Sequence, residues 1–215
     1  MFWLRIVALF GFNDKIRFLK NVMGLWILNR TVEEFKKQGI NFTYEEIEQE
    51  AIKNNNFSSI INPDHESFEN PPSMIEAINT YCKNTSQVIP EKPGEYFYCI
   101  YLSLALKYKY VFKELTEVTK KKYKRIFIVG GGSNIDYLNQ LTSTVTNMVV
   151  KTGPQEATVL GNALSLMLSS NEIKHEVEGQ ELIFKQFASK KYYPEHNEHY
   201  QTQYEKLKQL IKGGK

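Results

Sequence analysis

Cysteine, aspartate and histidine are all scarce in these 215 residues, and each shortage narrows the chemistry available. The two cysteines, Cys82 and Cys99, form no Cys-x-x-Cys pair, which excludes a zinc knuckle or a disulfide scaffold and fits a reducing compartment. Asp14, Asp64 and Asp136 are the only aspartates, so candidates for an aspartate base are few. Of the four histidines, His196 and His199 stand three apart beside Glu195 and Glu198; such a couple without further ligands reads as solvated surface rather than a metal site. An excess of charge is also missing. The net charge of +3 is too small to argue for nucleic acid, and the densest basic run, Lys120–Arg125, reads as a solvated helix end whose cations complement the helix dipole. No long apolar run occurs: Met1–Phe10 has no small-residue cleavage site and falls well short of the ~20 residues that span a bilayer. The expectation is a soluble, cytoplasmic chain with no membrane and no nucleic-acid partner.

What is present is ordinary globular composition, with 42% hydrophobic and 24% charged residues. Apolar positions Ile16, Leu19, Val22, Met23, Trp26 and Ile27 predict a helix over 14–37, with Asn13 as its N-cap. Thr43-Tyr44-Glu45-Glu46 is a capping box opening a helix to about Ile52. Prolines at 63, 71 and 72 forbid regular structure over a long connection, and Ser73-Met74-Ile75-Glu76 opens a further helix to about Cys82. After the rigid turn Pro90–Pro93, the longest helix, 94–118, carries an apolar stripe from Phe97 through Tyr101, Leu104, Ala105, Tyr108 and Phe112 to Val118. Its five tyrosines, at 96, 98, 101, 108 and 110, read as packing rather than a base-stacking platform. The turn between these two helices would bring Cys82 and Cys99 within disulfide reach if the helices run antiparallel; two reduced thiols are the reading a reducing compartment favours.

The pattern then changes to strand, glycine loop and helix: Arg125–Val129, Gly130–Ser133 and about 134–145, followed by a strand at Met148–Lys151 and a helix over 156–169. The tail from 179 is polar and helical in two pieces, parted by Tyr192-Tyr193-Pro194. Three consecutive glycines remove every side chain where the backbone turns, so a planar base or a phosphate can approach the main chain. The run is neither Gly-x-Gly-x-x-Gly nor a P-loop. Nucleotide binding and a tight turn enforced by packing are equally good readings of it alone. Two strands are few for a parallel sheet, which needs both faces covered, so the chain reads like the second half of something larger.

Together, Leu19–Trp26, Asn62-Pro63-Asp64, Asn70-Pro71, Met74-Ile75, the Pro90–Pro93 turn, Ser103–Tyr108, the glycine run and Lys151–Ala163 resemble, in this order, the carboxy-terminal half of rhamnulokinases in the FGGY family of carbohydrate kinases. The resemblance runs from about residue 11 to 215 and leaves residues 1–10 as an unmatched lead-in. It implies an α/β fold, a helix-rich partial actin-like ATPase (ribonuclease H-like) domain. The family transfers the γ-phosphoryl of ATP, with Mg2+, to a ketose in a cleft between two domains; for rhamnulokinases the acceptor is the 1-hydroxyl of L-rhamnulose, in rhamnose breakdown. By the same resemblance Asn21 falls at a sugar contact, Asn29 at a nucleotide contact where the family typically has Gln, and Gly131 at a backbone contact to ATP. Gly130, Gly132 and Ser133 complete that loop. Ile135 departs from the Asn that commonly follows it.

The family's first domain, its proton-accepting aspartate in a His-Asp-Thr context and its phosphate-holding Gly-Thr hairpin precede the matched region, and none of the three aspartates has that context. Phosphoryl transfer is largely positioning and charge neutralisation, so one wall of the cleft alone is not expected to catalyse it. The expectation is a carboxy-terminal kinase fragment that binds ATP or ADP, with L-rhamnulose bound only when an amino-terminal domain is present. The alternatives are a non-catalytic nucleotide-binding or docking module and a remnant without a role. An open sheet edge would invite self-association. The apolar run Trp3–Phe10 either pairs with the edge of Arg125–Val129 in place of a lost strand or frays, as termini commonly do.

Overall fold

The computed structural model describes residues 7–10, 16–187, 189–196 and 199–213. These form two compact units, one built on the chain up to Tyr123 together with the last helix, the other on Lys124–His196.

The first unit contains β1 (Val7–Phe10), β2 (Ile16–Leu19), α1 (Leu25–Lys37), α2 (Tyr44–Lys53), α3 (Met74–Asn84), α4 (Pro93–Thr119) and α8 (His199–Gly213). β1 and β2 pair antiparallel, Val7 opposite Leu19 and Phe10 opposite Ile16. Two expectations are corrected here. The segment read as the start of a long helix is a strand as far as Leu19, and the apolar lead-in pairs with it in a hairpin rather than with Arg125–Val129. Asn13 and Trp3–Ile6 lie outside the described residues.

α4 organises this unit. Between Gly94 and Lys107 nearly every residue is buried, so the first half of the helix is enclosed on all sides rather than along one stripe. A helix that is apolar all round belongs in a core, and α1, α2 and α8 pack against this one. Phe35, Phe42, Tyr96 and Phe97 meet edge-on, with the Phe42–Phe97 centroids 5.2 Å apart. Beyond Lys107 the enclosure ends: Val118, expected on the stripe, is 58% exposed.

Both helix starts hold, the first as a full capping box and the second with only the Ser73 half of one. Thr43 accepts from Glu46 N–H while the Glu46 carboxylate takes Thr43 N–H, a complete capping box. At α3, Ser73 Oγ accepts from Glu76 N–H, and a carboxylate from α1 serves the same turn: Glu34 accepts from Ser73 O–H, Met74 N–H and Ile75 N–H. Glu34→Ala therefore uncaps α3 and frees it from α1 at once, and should cost about 1–2 kcal/mol by urea titration. An unchanged midpoint would show that water replaces the carboxylate at no cost.

The irregular connection between α2 and α3 is packed, with Ile60, Ile61 and Phe68 fully buried. Its backbone needs partners, since buried N–H and C=O groups are costly when left alone. Side chains supply them. Gln87 bonds both backbone groups of Ile60, Ser103 Oγ accepts from Ile61 N–H at 2.9 Å, and Tyr81 Oη accepts from Asn62 N–H. This holds the Asn62-Pro63-Asp64 turn rigidly on α4.

The second unit contains β3 (Arg125–Ile128), α5 (Asp136–Thr146), β4 (Val149–Thr152), α6 (Ala157–Ser169), α7 (Glu176–Gln186) and β5 (Lys191–Tyr192). β3 and β4 run parallel with Arg125 opposite Val149, joined through α5, and β5 adds antiparallel to β4. β5 was not expected. It is two residues long, Lys191 and Tyr192, and Tyr192 O–H and Lys190 both bond Asp136 at the first turn of α5.

Candidate functional site

The glycine loop begins where β3 ends. Gly130 has φ +78°, the left-handed region that glycine enters without penalty. Gly153 N–H donates to Ile128 O and Gly130 N–H to Pro154 O, so the loop leaves the sheet edge beside the start of the β4–α6 connection. A 3₁₀ turn, Gly131–Asn134, follows before α5 starts at Asp136. Ser133 is buried and its hydroxyl donates to Gly130 O at 2.7 Å, so it closes the turn from within. Asn139 Nδ2 donates to Ser133 O from below, and Asn134 Nδ2 reaches Gln155 Oε1. Gly131 is exposed, and a Cβ built on it meets no atom within 4 Å. Ile135 is buried in the core rather than on the loop's outer surface. The first turn of α5 carries Asp136, whose carboxyl is held below its usual range by Lys190 and Tyr192 against the effect of burial. A phosphate would meet that negative charge, so the open main chain at Gly131, not the helix end, is the accommodating surface.

Asn21 and Asn29 belong to the first unit. Asn29 is exposed on α1, on the helix whose Trp26 is 43% exposed and lies under the Arg30 guanidinium. Asn21 is exposed and, with Val22, Met23, Asp64 and Glu69, lines a pocket of about 370 Å³. Asp64 Oδ1 accepts from Met23 N–H at 2.9 Å, and Oδ2 pairs at 2.9 Å with Lys107 Nζ, whose side chain is fully buried in α4. Lys107 also donates to Asn62 Oδ1 at 3.2 Å. Burial pushes the Lys107 ammonium below the usual lysine range while Asp64 draws it back. The structure thus brings Asn21 together with an acidic partner that sequence reasoning had set aside. Two signals pointed to it: the Asn-Pro-Asp turn, and a lone lysine within the apolar run Ser103–Tyr108.

Cys82 and Cys99 are buried and free, close enough that each thiol perturbs the other. The hydrogen bond with Cys82, reinforced by burial, raises the Cys99 thiol. Among the described residues no three His, Cys, Asp or Glu converge as metal ligands would, and no helix is long and apolar enough to cross a membrane.

A sequence model of the FGGY family of carbohydrate kinases, C-terminal domain, matches residues 3–170, beginning eight residues before the point from which the sequence motifs were read. Proteins named rhamnulokinase are similar over most of the chain. The Bacillus subtilis protein is 36% identical over 86% of the chain and 37% of its own length. The Lactiplantibacillus plantarum protein is 39% identical over 88% and 38%, and the Pectobacterium atrosepticum protein 41% identical over 71% and 30%. The chain therefore spans a little over a third of the first two relatives and less than a third of the last. In fold it resembles a crystal structure of xylulose kinase from Rhodospirillum rubrum, with a TM-score of 0.62 at 12% identity over 87% of this chain and 37% of that one. These matches agree with the order of motifs along the sequence and with an α/β, helix-rich, actin-like half, and the chain belongs to the FGGY family of carbohydrate kinases, whose C-terminal domain it carries.

Proposed function

We propose that this chain supplies the nucleotide-binding half of an ATP-dependent sugar kinase acting on L-rhamnulose at its 1-hydroxyl, and that phosphoryl transfer requires an amino-terminal domain opposite it. The observation that carries the nucleotide assignment is the bare main chain at Gly131: a Cβ built there meets no atom within 4 Å, and the residue is exposed just past the positive-φ turn at Gly130. A planar ring or a phosphate lies against such a surface without a steric cost. Asn29 is assigned as a nucleotide contact and Asn21 as the sugar contact, with the pocket around Asp64 as the sugar's seat. The choice of rhamnulose follows the name shared by the similar proteins.

Mg2+ with a nucleotide is held by its phosphates and one or two carboxylates rather than by a protein cage, and among the described residues no cluster of three or more ligands stands ready for it. It enters on the nucleotide's own phosphates. Asp64 is tied to Lys107 and Met23 N–H, which argues against its serving as the proton acceptor.

Calorimetric titration with Mg-ATP and with ADP tests this reading. The expected result is binding in the micromolar-to-millimolar range, weakened at least about tenfold, or ~1.4 kcal/mol, by Gly131→Val. Absence of heat up to several millimolar would remove the nucleotide assignment. Binding without transfer, even when the amino-terminal domain of a similar rhamnulokinase is added, would favour a non-catalytic nucleotide module.

A further inference from the structure

The strand β2 ends at Leu19 and α1 begins at Leu25, and the five residues between them include Asn21. A segment this short, without a ladder or a helix of its own, has backbone freedom that costs roughly 1–2 kcal/mol per residue to remove. Two buried or half-buried charges on α4 remove it. On one side of Asn21, Lys20 pairs with Glu114, and the Lys20 side chain is only 2% exposed. On the other, Met23 N–H donates to Asp64, which Lys107 holds from beneath. Both ammonium groups lie over the same ring, Tyr110, at 5.6 and 5.4 Å from its centroid. Asn21 itself stays exposed at the pocket.

Burying ion pairs is an expensive way to stabilise a fold, since apolar residues of similar size commonly do as well or better. What ion pairs add is direction: a carboxylate fixed by a cation offers its second oxygen along a defined line. Here that line ends on the backbone of the segment that carries Asn21.

We propose that Lys107 with Asp64, and Glu114 with Lys20, are positioning residues of the sugar pocket: a two-point clamp anchored on α4 that holds Lys20–Met23 in the shape that presents Asn21. The clamp rests on the assignment of Asn21 to the sugar. Its arms hold Lys20 and Met23 and enclose two residues, Asn21 and Val22, so release of either arm lets Asn21 leave the pocket wall. The Asp64 arm is the firmer of the two, because its cation is wholly enclosed and has a second acceptor in Asn62 Oδ1.

The test compares two double variants of the full chain that differ by one acceptor. Asp64→Asn with Lys107→Met removes both charges but keeps an amide oxygen for Met23 N–H. Asp64→Ala with Lys107→Met removes that oxygen too. Neither leaves a buried charge alone, so both are expected to fold. Amide hydrogen exchange and ¹⁵N spectra are recorded, with L-rhamnulose as the titrant in the presence of the amino-terminal domain of a similar rhamnulokinase.

In the Ala pair, Met23 exchange should accelerate at least tenfold while Ile27, Leu28 and the α4 core amides keep their wild-type rates, and affinity for the sugar should fall at least tenfold. The Asn pair keeps the acceptor but not the cation that aims it, so both properties should fall between those of the Ala pair and the parent chain, a graded response that a purely structural role for the charges would not produce. Equal Met23 exchange in the two pairs, or acceleration shared by every amide in the unit, would overturn the clamp. Failure of L-rhamnulose to shift any resonance near Asn21 in the wild-type chain with that domain present would instead sink the sugar assignment, with the Met23 rates still deciding whether the clamp exists.

Discussion

Above about pH 10.5 the unit built on α4 loses stability steeply, by roughly 5 kcal/mol at pH 12. The cause is enclosed tyrosine. Burial pushes the Tyr81 and Tyr204 hydroxyls up to about 12 from the ordinary 10.0, and both side chains are almost completely covered. Tyr101 is raised further for the same reason. A folded chain that keeps these protons while the unfolded chain releases them has its full stability below pH 10, and loses it as the pH climbs toward the folded values. Each hydroxyl raised by two units accounts for at most roughly 3 kcal/mol, and for less at Tyr204, whose ring lies under Lys109, Lys113 and Lys208.

Buried lysines work in the opposite direction. Burial lowers Lys107, Lys109 and Lys206, so the cost of their charge in the folded state is relieved as the pH rises. That relief is complete near the ordinary lysine value of 10.5, whereas the tyrosine loss continues to about 12. Above pH 10.5 the tyrosines act unopposed. Against a typical domain stability of ~5–15 kcal/mol, their effect removes a third or more of it and unfolds a unit at the lower end of that range. Phenolate absorbance followed alongside far-ultraviolet circular dichroism gives the answer. A fraction of the 13 tyrosines should ionise only as helix is lost. Ionisation of all of them near pH 10 with the helices intact would refute the argument.

Gly94→Ala is expected to be a highly damaging one-methyl change, at about 3 kcal/mol. Gly94 sits in the first turn of α4, where the end of α2 crosses it. A Cβ there would fall on Asn54 Nδ2 and within 2.5 Å of the Glu50 carbonyl oxygen. The asparagine could swing away only by giving up its bond to Glu50 O, at 2.9 Å. The carbonyl is backbone and moves only if α2 moves. Because α2 carries Ile47 and Ala51 into the core against α4, that displacement opens packing along the whole contact. Gly161→Ala is the matched control. It lies inside α6 with open space where its Cβ would go, so it should gain ~0.5–1 kcal/mol. Denaturant titration of both variants separates crowding from the general effect of replacing a helical glycine. A Gly94→Ala protein as stable as the parent would mean that α2 does not close on α4 as described.

The contrast between these two glycines also shows where sequence reading stops. Both stand in helical sequence, and nothing local marks one as a contact and the other as open. The same limit explains the misread amino terminus. Ile16, Leu19, Val22 and Met23 fit a helical period, and a four-residue strand is too short to display the alternation that would have identified it. The strand at Lys191–Tyr192 is shorter still, and only its pairing with β4 defines it.

The sequence by itself determined the local starts and stops: the capping box at Thr43, the proline-led beginning of α4, the glycine exit from β3, and the ordered motifs that reveal the family. Those features act through neighbours a few residues away, so they are written in the chain. Tertiary structure alone decided that α4 is enclosed on every side, that Glu34 caps α3, and that Lys107 reaches Asp64 beneath the Asn21 pocket. Each of these joins residues distant along the chain through burial. The cost of enclosing a charge or an N–H group becomes visible only when the partner that satisfies it is in place.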